Sequence, residues 1–173
     1  LARVSKNGLV LAKQTFNLST GGDELVDVAL DSKGNVLAAG DIFLADGPGF
    51  LFKGIIARFN ANSLDLDTSF GVAGKVITEN PSDINLGFRA LGLDSQDRII
   101  AAGEQEGDFS VSRYLVDGKP DTNFGTNGQT LVDFGGGDVA NALTLDADGK
   151  IVVGGFSRGA SNNRDFALAR LNP

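Results

Sequence analysis

Paired carboxylates are the residues of this chain that could do the most chemistry. Asp146 and Asp148 stand two apart in the phrase Asp-Ala-Asp-Gly, which resembles the start of a calcium-binding loop because Ca²⁺ takes oxygen ligands. An EF-hand needs a longer series of ligands and a distal Glu, which the residues after Gly149 do not supply. Asp146 and Asp148 are therefore weak Ca²⁺ candidates, and a tight turn between two strands is the favoured interpretation.

A second acidic group comprises Glu104, Glu106 and Asp108. Two carboxylates held about 5 to 9 Å apart can hydrolyse a glycosidic bond. The chain contains no Trp and one Tyr, Tyr114, whereas clefts that cleave carbohydrate usually offer aromatic platforms. A charged loop in solvent is the favoured interpretation, and no catalytic residue is assigned.

Missing residue types exclude several kinds of site. The 173 residues include no His and no Cys, which excludes a Ser-His-Asp triad, a His-bound metal and a thiolate metal site within this chain. The Gly-rich stretches at 21–23 and 135–138 lack the Lys-Ser/Thr pair and the following helix of a phosphate-binding loop. No cofactor is therefore expected.

Charge and hydropathy restrict the partners. The chain carries a net charge of −7 and has a pI near 4.5. Such a surface disfavours a nucleic-acid backbone and an anionic membrane surface. No apolar run approaches the roughly 20 residues that a transmembrane helix needs. The expected partners are other protein chains, further repeats of the same chain, or a surface polymer.

Three repeated phrases predict the elements that position these residues. They are DVALDSKGNVLAAG (27–40), ALGLDSQDRIIAAG (90–103) and ALTLDADGKIVVGG (142–155). Each shows alternating apolar residues, a short polar turn, and an apolar run that ends on Gly40, Gly103 or Gly155. This pattern predicts a β-hairpin in each repeat.

A further repeated strand carries an arginine. Arg3, Arg58, Arg113 and Arg170 follow one another at intervals of 55, 55 and 57 residues. A period in the fifties suits one four-stranded blade of a propeller. No segment has a sustained helical period, so the predicted fold class is all-β, a β-propeller-like array of four-stranded antiparallel blades.

The phrase DTSFGVAGKV at 67–76 returns as DTNFGTNGQT at 121–130. We interpret it as a structural joint between the fourth strand of one blade and the first strand of the next, in preference to a copied functional loop. Its Asp would form an Asx-turn and pair with the blade arginine, its glycines would allow positive φ, and its Phe would wedge between blades. The structural repeat residues are thus Asp67, Phe70, Gly71, Gly74, Asp121, Phe124, Gly125 and Gly128, together with Arg3, Arg58, Arg113 and Arg170. The first unit lacks the Asp, which leaves Arg3 without this partner.

These phrases together resemble the bacterial delta-60 repeat. The unit at 119–173 matches nearly throughout, the unit at 64–118 matches well but has Asp-Ser-Gln-Asp at its turn, and the first unit lacks the Asp-Thr-x-Phe-Gly phrase. The resemblance implies β-propeller-like blades of large secreted or surface proteins. It implies no catalytic residue and no agreed ligand.

The segment 41–53 is an inserted connection that is unusually apolar for a loop. It could extend the core or lengthen the two flanking strands, or it could contact another chain or domain. If the segment contacts another chain or domain, the predicted partner-contact residues are Ile42, Phe43, Leu44, Phe50, Leu51 and Phe52.

The repeats divide the chain into an outer strand of a preceding blade at 1–8 and three complete blades at 9–63, 64–118 and 119–173. Closed propellers have about 4 to 8 blades, so three blades would leave apolar faces bare. We therefore expect either further blades of the same chain, which we favour, or copies that assemble.

The leading hypothesis is a non-enzymatic binding or scaffolding module of a secreted or cell-surface bacterial protein. It would make protein–protein or surface-polymer contacts in an extracellular assembly. The alternatives are a carbohydrate-active hydrolase or lyase with carboxylates at the propeller centre, and a Ca²⁺-stabilised adhesin.

Overall fold

The structure, a computed structural model, describes residues 1–46, 49–78, 86–159 and 162–173. These residues form β-strands joined by turns and bends and include no helix, so they hold no helix that is long and apolar enough to cross a membrane. The strands are β1 (Ala2–Val4), β2 (Val10–Lys13), β3 (Gly22–Leu30), β4 (Val36–Asp46), β5 (Gly49–Phe59), β6 (Lys75–Ile77), β7 (Leu86–Leu93), β8 (Ile99–Gln105), β9 (Asp108–Tyr114), β10 (Gln129–Val132), β11 (Val139–Leu145), β12 (Ile151–Arg158) and β13 (Arg164–Leu171).

The strands form three sheets and a short ribbon. The first sheet has the order β3-β4-β5-β6, the second β7-β8-β9-β10, and the third β11-β12-β13, while β1 and β2 form the N-terminal ribbon. Pairing between these strands is antiparallel throughout. The predicted all-β class and the predicted hairpins within each repeat are therefore present.

The sheet boundaries differ by one strand from the predicted blades. The strand expected to open each unit pairs with the arginine-bearing strand of the preceding unit: β6 with β5, and β10 with β9. The repeated Asp-Thr-x-Phe-Gly phrase is thus a turn within one sheet. Its backbone hydrogen bonds reverse the chain, so that the strand after the turn pairs antiparallel with the strand before it. The described residues accordingly contain two four-stranded sheets, one three-stranded sheet and the ribbon, in place of three four-stranded units.

The polar turn of each predicted hairpin is built on an Asp. Oδ1 of Asp31, Asp94 and Asp146 accepts hydrogen bonds from backbone N–H groups two and four residues further on, at 2.8 to 2.9 Å. Asp97 takes a φ of 58° at the position where the third turn has Gly149. Since Asp tolerates the left-handed conformation better than most residues, the second turn keeps this geometry without a Gly.

A close backbone approach requires the glycine that ends each predicted hairpin. A Cβ at Gly40, Gly103 or Gly155 would lie 1.9, 1.8 or 1.9 Å from a carbonyl oxygen of the partner strand. The partner strands β3, β7 and β11 each have a register shift beside this glycine, and such a bulge bends the strand. One repeated Gly therefore marks the bend in every sheet.

The three sheets are stacked on their faces. Strand β7 lies against β3, β4 and β5, and β11 lies against β7, β8 and β9. The cluster between the first and second sheets comprises Leu37, Ala39, Ile56, Phe70, Leu86, Phe88, Leu91, Ile99, Ala101 and Tyr114. The cluster between the second and third sheets comprises Ala90, Ile100, Ala102, Phe109, Val111, Phe124, Ala140, Ile151, Val153 and Ala167. A third cluster, which includes Leu18, Ile42 and Phe59, lies on the opposite face of the first sheet.

Two carboxylates of the first sheet tie it to the second. Asp41 is 3% exposed, and its Oδ1 accepts a hydrogen bond from the Phe88 N–H at 2.9 Å. Asp27 accepts from the Leu91 N–H at 2.7 Å. Both donors lie on β7 near its bulge, so these bonds fix how the second sheet sits on the first.

We expect Gly103→Ala to lower the free energy of unfolding by about 3 kcal/mol, because the new methyl group must displace the backbone of Gly87. Gly154→Ala is the matched control in the third sheet, since the nearest atom to its Cβ would be 3.5 Å away and the equivalent residue of the second sheet is Ala102. Urea denaturation measures both. Equal stability of the two variants would contradict the close approach.

Candidate functional site

The repeated phrase forms a turn around an arginine. In the first sheet, Arg58 Nε lies 2.8 Å from Asp67 Oδ2, and the guanidinium carbon lies 4.8 Å from the centre of the Phe70 ring. Gly71 and Gly74 have φ of 53° and 89°, which L side chains rarely adopt. The predicted ion pair, buried Phe and left-handed glycines therefore occur together in one turn.

The second copy of the turn is more deeply buried. Arg113 Nε lies 2.9 Å from Asp121 Oδ2, and both side chains are 3% exposed. Its guanidinium carbon lies 4.7 Å from the centre of the Phe124 ring. Gly125 and Gly128 have φ of 53° and 90°, so the two copies share their geometry.

The repeat arginines also reach forward along the stack. Arg58 Nη1 donates to the Val116 carbonyl and Arg3 Nη1 to the Asn62 carbonyl, each at 2.8 Å. Both acceptors lie in the turn that follows the arginine strand of the next repeat. In the part of the chain that the structure describes, Arg3 forms no ion pair, and Arg113 Nη1 is buried without a hydrogen-bond partner.

The weak Ca²⁺ candidates lie beside Arg170. Oδ1 of Asp146 is held by the turn described above, while its Oδ2 forms an ion pair with Arg170 Nη2. Asp148 lies 3.9 Å from the same nitrogen and is 76% exposed. A cation at this pair would have to displace the guanidinium, so the structure brings these residues together as a turn with an arginine partner.

The segment 41–53 continues the strands that flank it, which is one of the two structural alternatives predicted for it. Residues on β4 and β5 stay paired up to Asp46 and from Gly49, and Ile42 is 1% exposed within the third cluster. The rings of Phe43 and Phe52 are 4.7 Å apart, in edge-to-face contact. The side chains of Leu44, Phe50 and Leu51 lie outside the described residues. The contact role of this hairpin stays a prediction, and Ile42 serves the core.

A cleft of about 440 Å³ separates the edge strands of the first and second sheets. Its polar lining centres on Gln129, whose Nε2 donates to Gln105 Oε1 at 2.8 Å and to Ser110 Oγ at 2.9 Å. The described residues that line this cleft include no carboxylate.

The third sheet has one apolar face that the described residues leave uncovered. On β13, Phe166 is 104% and Leu168 is 70% exposed. They stand opposite Phe156 and Gly154 on β12. Arg164 lies over the Phe156 ring, with its guanidinium carbon 4.3 Å from the ring centre. We call this surface, which comprises Phe156, Phe166 and Leu168, the far face.

The equivalent positions of the second sheet are buried. Phe109 and Val111 precede Arg113 by the same offsets at which Phe166 and Leu168 precede Arg170. Both are 0% exposed because the third sheet lies on them. The far face thus carries large apolar side chains at the positions that are covered in the second sheet. The apolar pattern of the sequence placed the predicted partner contact at 41–53, and the far face was not predicted, although an alignment of the arginine strands identifies its residues on β13.

Comparison with known proteins finds a similarity at the end of the chain. A model of the family described as "Domain of unknown function (DUF5122) beta-propeller" matches residues 147–173. This stretch contains β12 and β13, the hairpin that carries the far face. Comparison with curated proteins gave no match. The family match is consistent with a β-propeller-like repeat, in agreement with the antiparallel sheets of the structure.

We expect Asp121→Asn to lower the free energy of unfolding by about 3 kcal/mol, because it leaves the buried Arg113 without a counter-charge. Asp67→Asn should cost about 1.5 kcal/mol, since that pair is partly exposed. Asp117→Asn, which removes the exposed pair with Lys119, is the control and should be nearly neutral. Chemical denaturation of the three variants tests this order, and a larger loss at Asp117 than at Asp121 would contradict it.

The Asp67 pair should make stability depend on acid. The hydrogen bond from the Ser69 hydroxyl lowers the pKa of Asp67 below 3.8, with Arg58 adding to the effect and burial opposing it. Since folding favours the ionised form, this contribution is present above about pH 4 and is lost as the pH falls through the lowered pKa. The stability difference between the parent chain and Asp67→Asn should therefore shrink between about pH 5 and pH 2.5. A difference that stays constant over this range would show that the carboxylate charge contributes nothing.

Proposed function

We propose that this chain is a non-enzymatic scaffolding module of the delta-60 type, whose work is to bind other proteins through the uncovered faces of stacked sheets. The observation that carries the proposal is the far face. Phe166 is fully exposed where its counterpart Phe109 is fully buried. An apolar sheet face of this kind is typical of a surface that another chain or domain covers.

The occupant that fits the far face best is another sheet of the same repeat. The second and third sheets show the required geometry, since β11 lies across β7, β8 and β9 and its Ala140 packs beside Phe109 and Val111. Small residues such as Ala140 leave room for the large side chains of the facing sheet. A sheet that presented the same positions to Phe166 and Leu168 would repeat this packing.

The opposite end of the stack offers a complementary apolar surface. On β3, Val28 is 56% and Leu30 is 66% exposed. Their counterparts on β7, Leu91 and Leu93, pack against the first sheet. Contact between the far face of one copy and the β3 side of another would be head-to-tail, and such contacts propagate into rings or filaments. The resulting assembly is a scaffold, and its secreted or cell-surface location rests on the delta-60 resemblance.

We expect the 173-residue chain to self-associate through the far face. Phe166→Glu places a charge on that face and should weaken association at least about tenfold, because the carboxylate would have to lose its water. Val72→Glu is the matched control, since Val72 is 80% exposed in a turn away from the far face. Sedimentation velocity over a range of protein concentrations measures both variants.

An introduced fluorophore gives an independent measurement. The chain contains no Trp, so Phe166→Trp adds one reporter at the far face and Val72→Trp adds one at the control position. Emission of the first should shift to shorter wavelengths as association covers the ring, and emission of the second should stay constant. If the protein is a monomer at all concentrations and the indole of the Phe166→Trp variant stays in water, the proposed role of this face is refuted.

A further inference from the structure

Three carboxylates from separate segments meet where the second sheet joins the third. Asp108 opens β9, Asp133 follows β10, and Asp138 precedes β11. One carboxylate oxygen of each lies within 4.8 Å of the others. The turn between β8 and β9 is joined to the start of β11 by a hydrogen bond from the Asp138 N–H to the Gly107 carbonyl at 2.6 Å. We call this group the acidic triad.

The acidic triad has no counter-charge among the described residues. No ion pair within the described part of the chain includes Asp108, Asp133 or Asp138. Nearby Arg158 is directed elsewhere, because its Nη1 lies 3.4 Å from Asn162 Oδ1. Three like charges thus face one another without a protein cation between them.

A buried, unpartnered oxygen provides a second and independent indication of a ligand. Asp138 is 0% exposed, and its Oδ2 accepts from the Phe134 N–H at 2.7 Å. Its Oδ1 has no hydrogen-bond partner among the described residues. A buried carboxylate oxygen without a partner is costly, and here the same carboxylate faces two others.

We propose that the acidic triad binds a Ca²⁺ ion that clamps the second sheet to the third. Calcium takes carboxylate and carbonyl oxygens at about 2.3 to 2.6 Å, so oxygens on opposite sides of the ion are roughly 4.6 to 5.2 Å apart. The spacing of the triad is compatible with these values. Magnesium needs shorter and more regular coordination. The ion would join Asp108 of the β8–β9 hairpin to the loop that carries Asp133 and Asp138.

The first sheet contains a matched control for this site. Asp23 corresponds to Asp138 in the repeat, its Oδ2 accepts from the Leu18 N–H at 2.7 Å, and its Oδ1 is also buried without a partner among the described residues. The described residues place no second and third carboxylate beside it. Asp23→Asn therefore removes the charge of the equivalent loop carboxylate without touching the acidic triad.

The test compares thermal unfolding and calorimetric titration of EDTA-treated protein with CaCl₂ and MgCl₂. For an affinity near about 10⁻⁴ M, roughly 10 mM CaCl₂ should raise the melting temperature of the parent chain by about 5 to 10 °C, and MgCl₂ should raise it less. The double variant Asp108→Asn/Asp133→Asn keeps Asp138 and its loop contact. It should fold without metal at least as well as the parent chain, and its Ca²⁺ affinity should fall at least about tenfold. Asp23→Asn should be less stable yet keep the full Ca²⁺ shift.

The other outcomes would overturn the proposal. A parent chain that gives neither a Ca²⁺ shift nor heat of binding has no such site. A shift of the same size in the double variant would place the calcium elsewhere. An equal response to MgCl₂ would overturn the assignment to calcium. Because Ca²⁺ binding is read as the difference that the metal makes to each variant, failure of the triad is distinguishable from failure of the far face as a docking surface.

Discussion

The need to cover both faces of every sheet governs this structure. In β8 of the second sheet, four consecutive residues from Ile99 to Ala102 are at most 1% exposed, although successive side chains of a strand point to opposite faces. Ile99 and Ala101 pack toward the first sheet, and Ile100 and Ala102 toward the third. A continuous apolar run is what a strand buried on both sides requires. The stack therefore always presents an apolar face at its ends unless another element lies there.

The polar contacts of the repeat set the geometry of this stack more than they strengthen it. A buried ion pair such as Arg113–Asp121 loses hydration on both partners, and its net contribution to stability is small even though removing one partner is costly. The pair instead fixes the orientation of the Arg113 side chain, which is also held over the Phe124 ring. The same device recurs at Arg58, and the Arg58 Nη1 contact with Val116 then ties one sheet to the next. The corresponding contact of Arg3 Nη1 with the Asn62 carbonyl ties the N-terminal ribbon to the turn that follows β5.

The sequence predicted the structural features that depend on residues close together in the chain. The hairpin phrases, their Asp turns and the equivalent glycines are local, so their spacing identified them. The pairing of β6 with β5 was missed, because the spacing of strands does not say which neighbour an edge strand joins. The acidic triad was missed for a related reason. Asp108, Asp133 and Asp138 come from three segments, and the sequence pattern groups Asp108 with Glu104 and Glu106 in a charged loop.

The far face shows why an aligned repeat contains more information than a single strand. Phe166, taken alone, is one exposed aromatic residue, and single exposed apolar residues are common in folded proteins. Phe166 becomes informative by comparison with Phe109, which has the same position relative to the repeat arginine and is 0% exposed. The same comparison separates Asp138 from Asp23, whose side-chain contacts match while the surrounding charges differ. Within this repeat, the positions whose environments depart from those of their equivalents are the ones at which we propose that a partner or an ion binds.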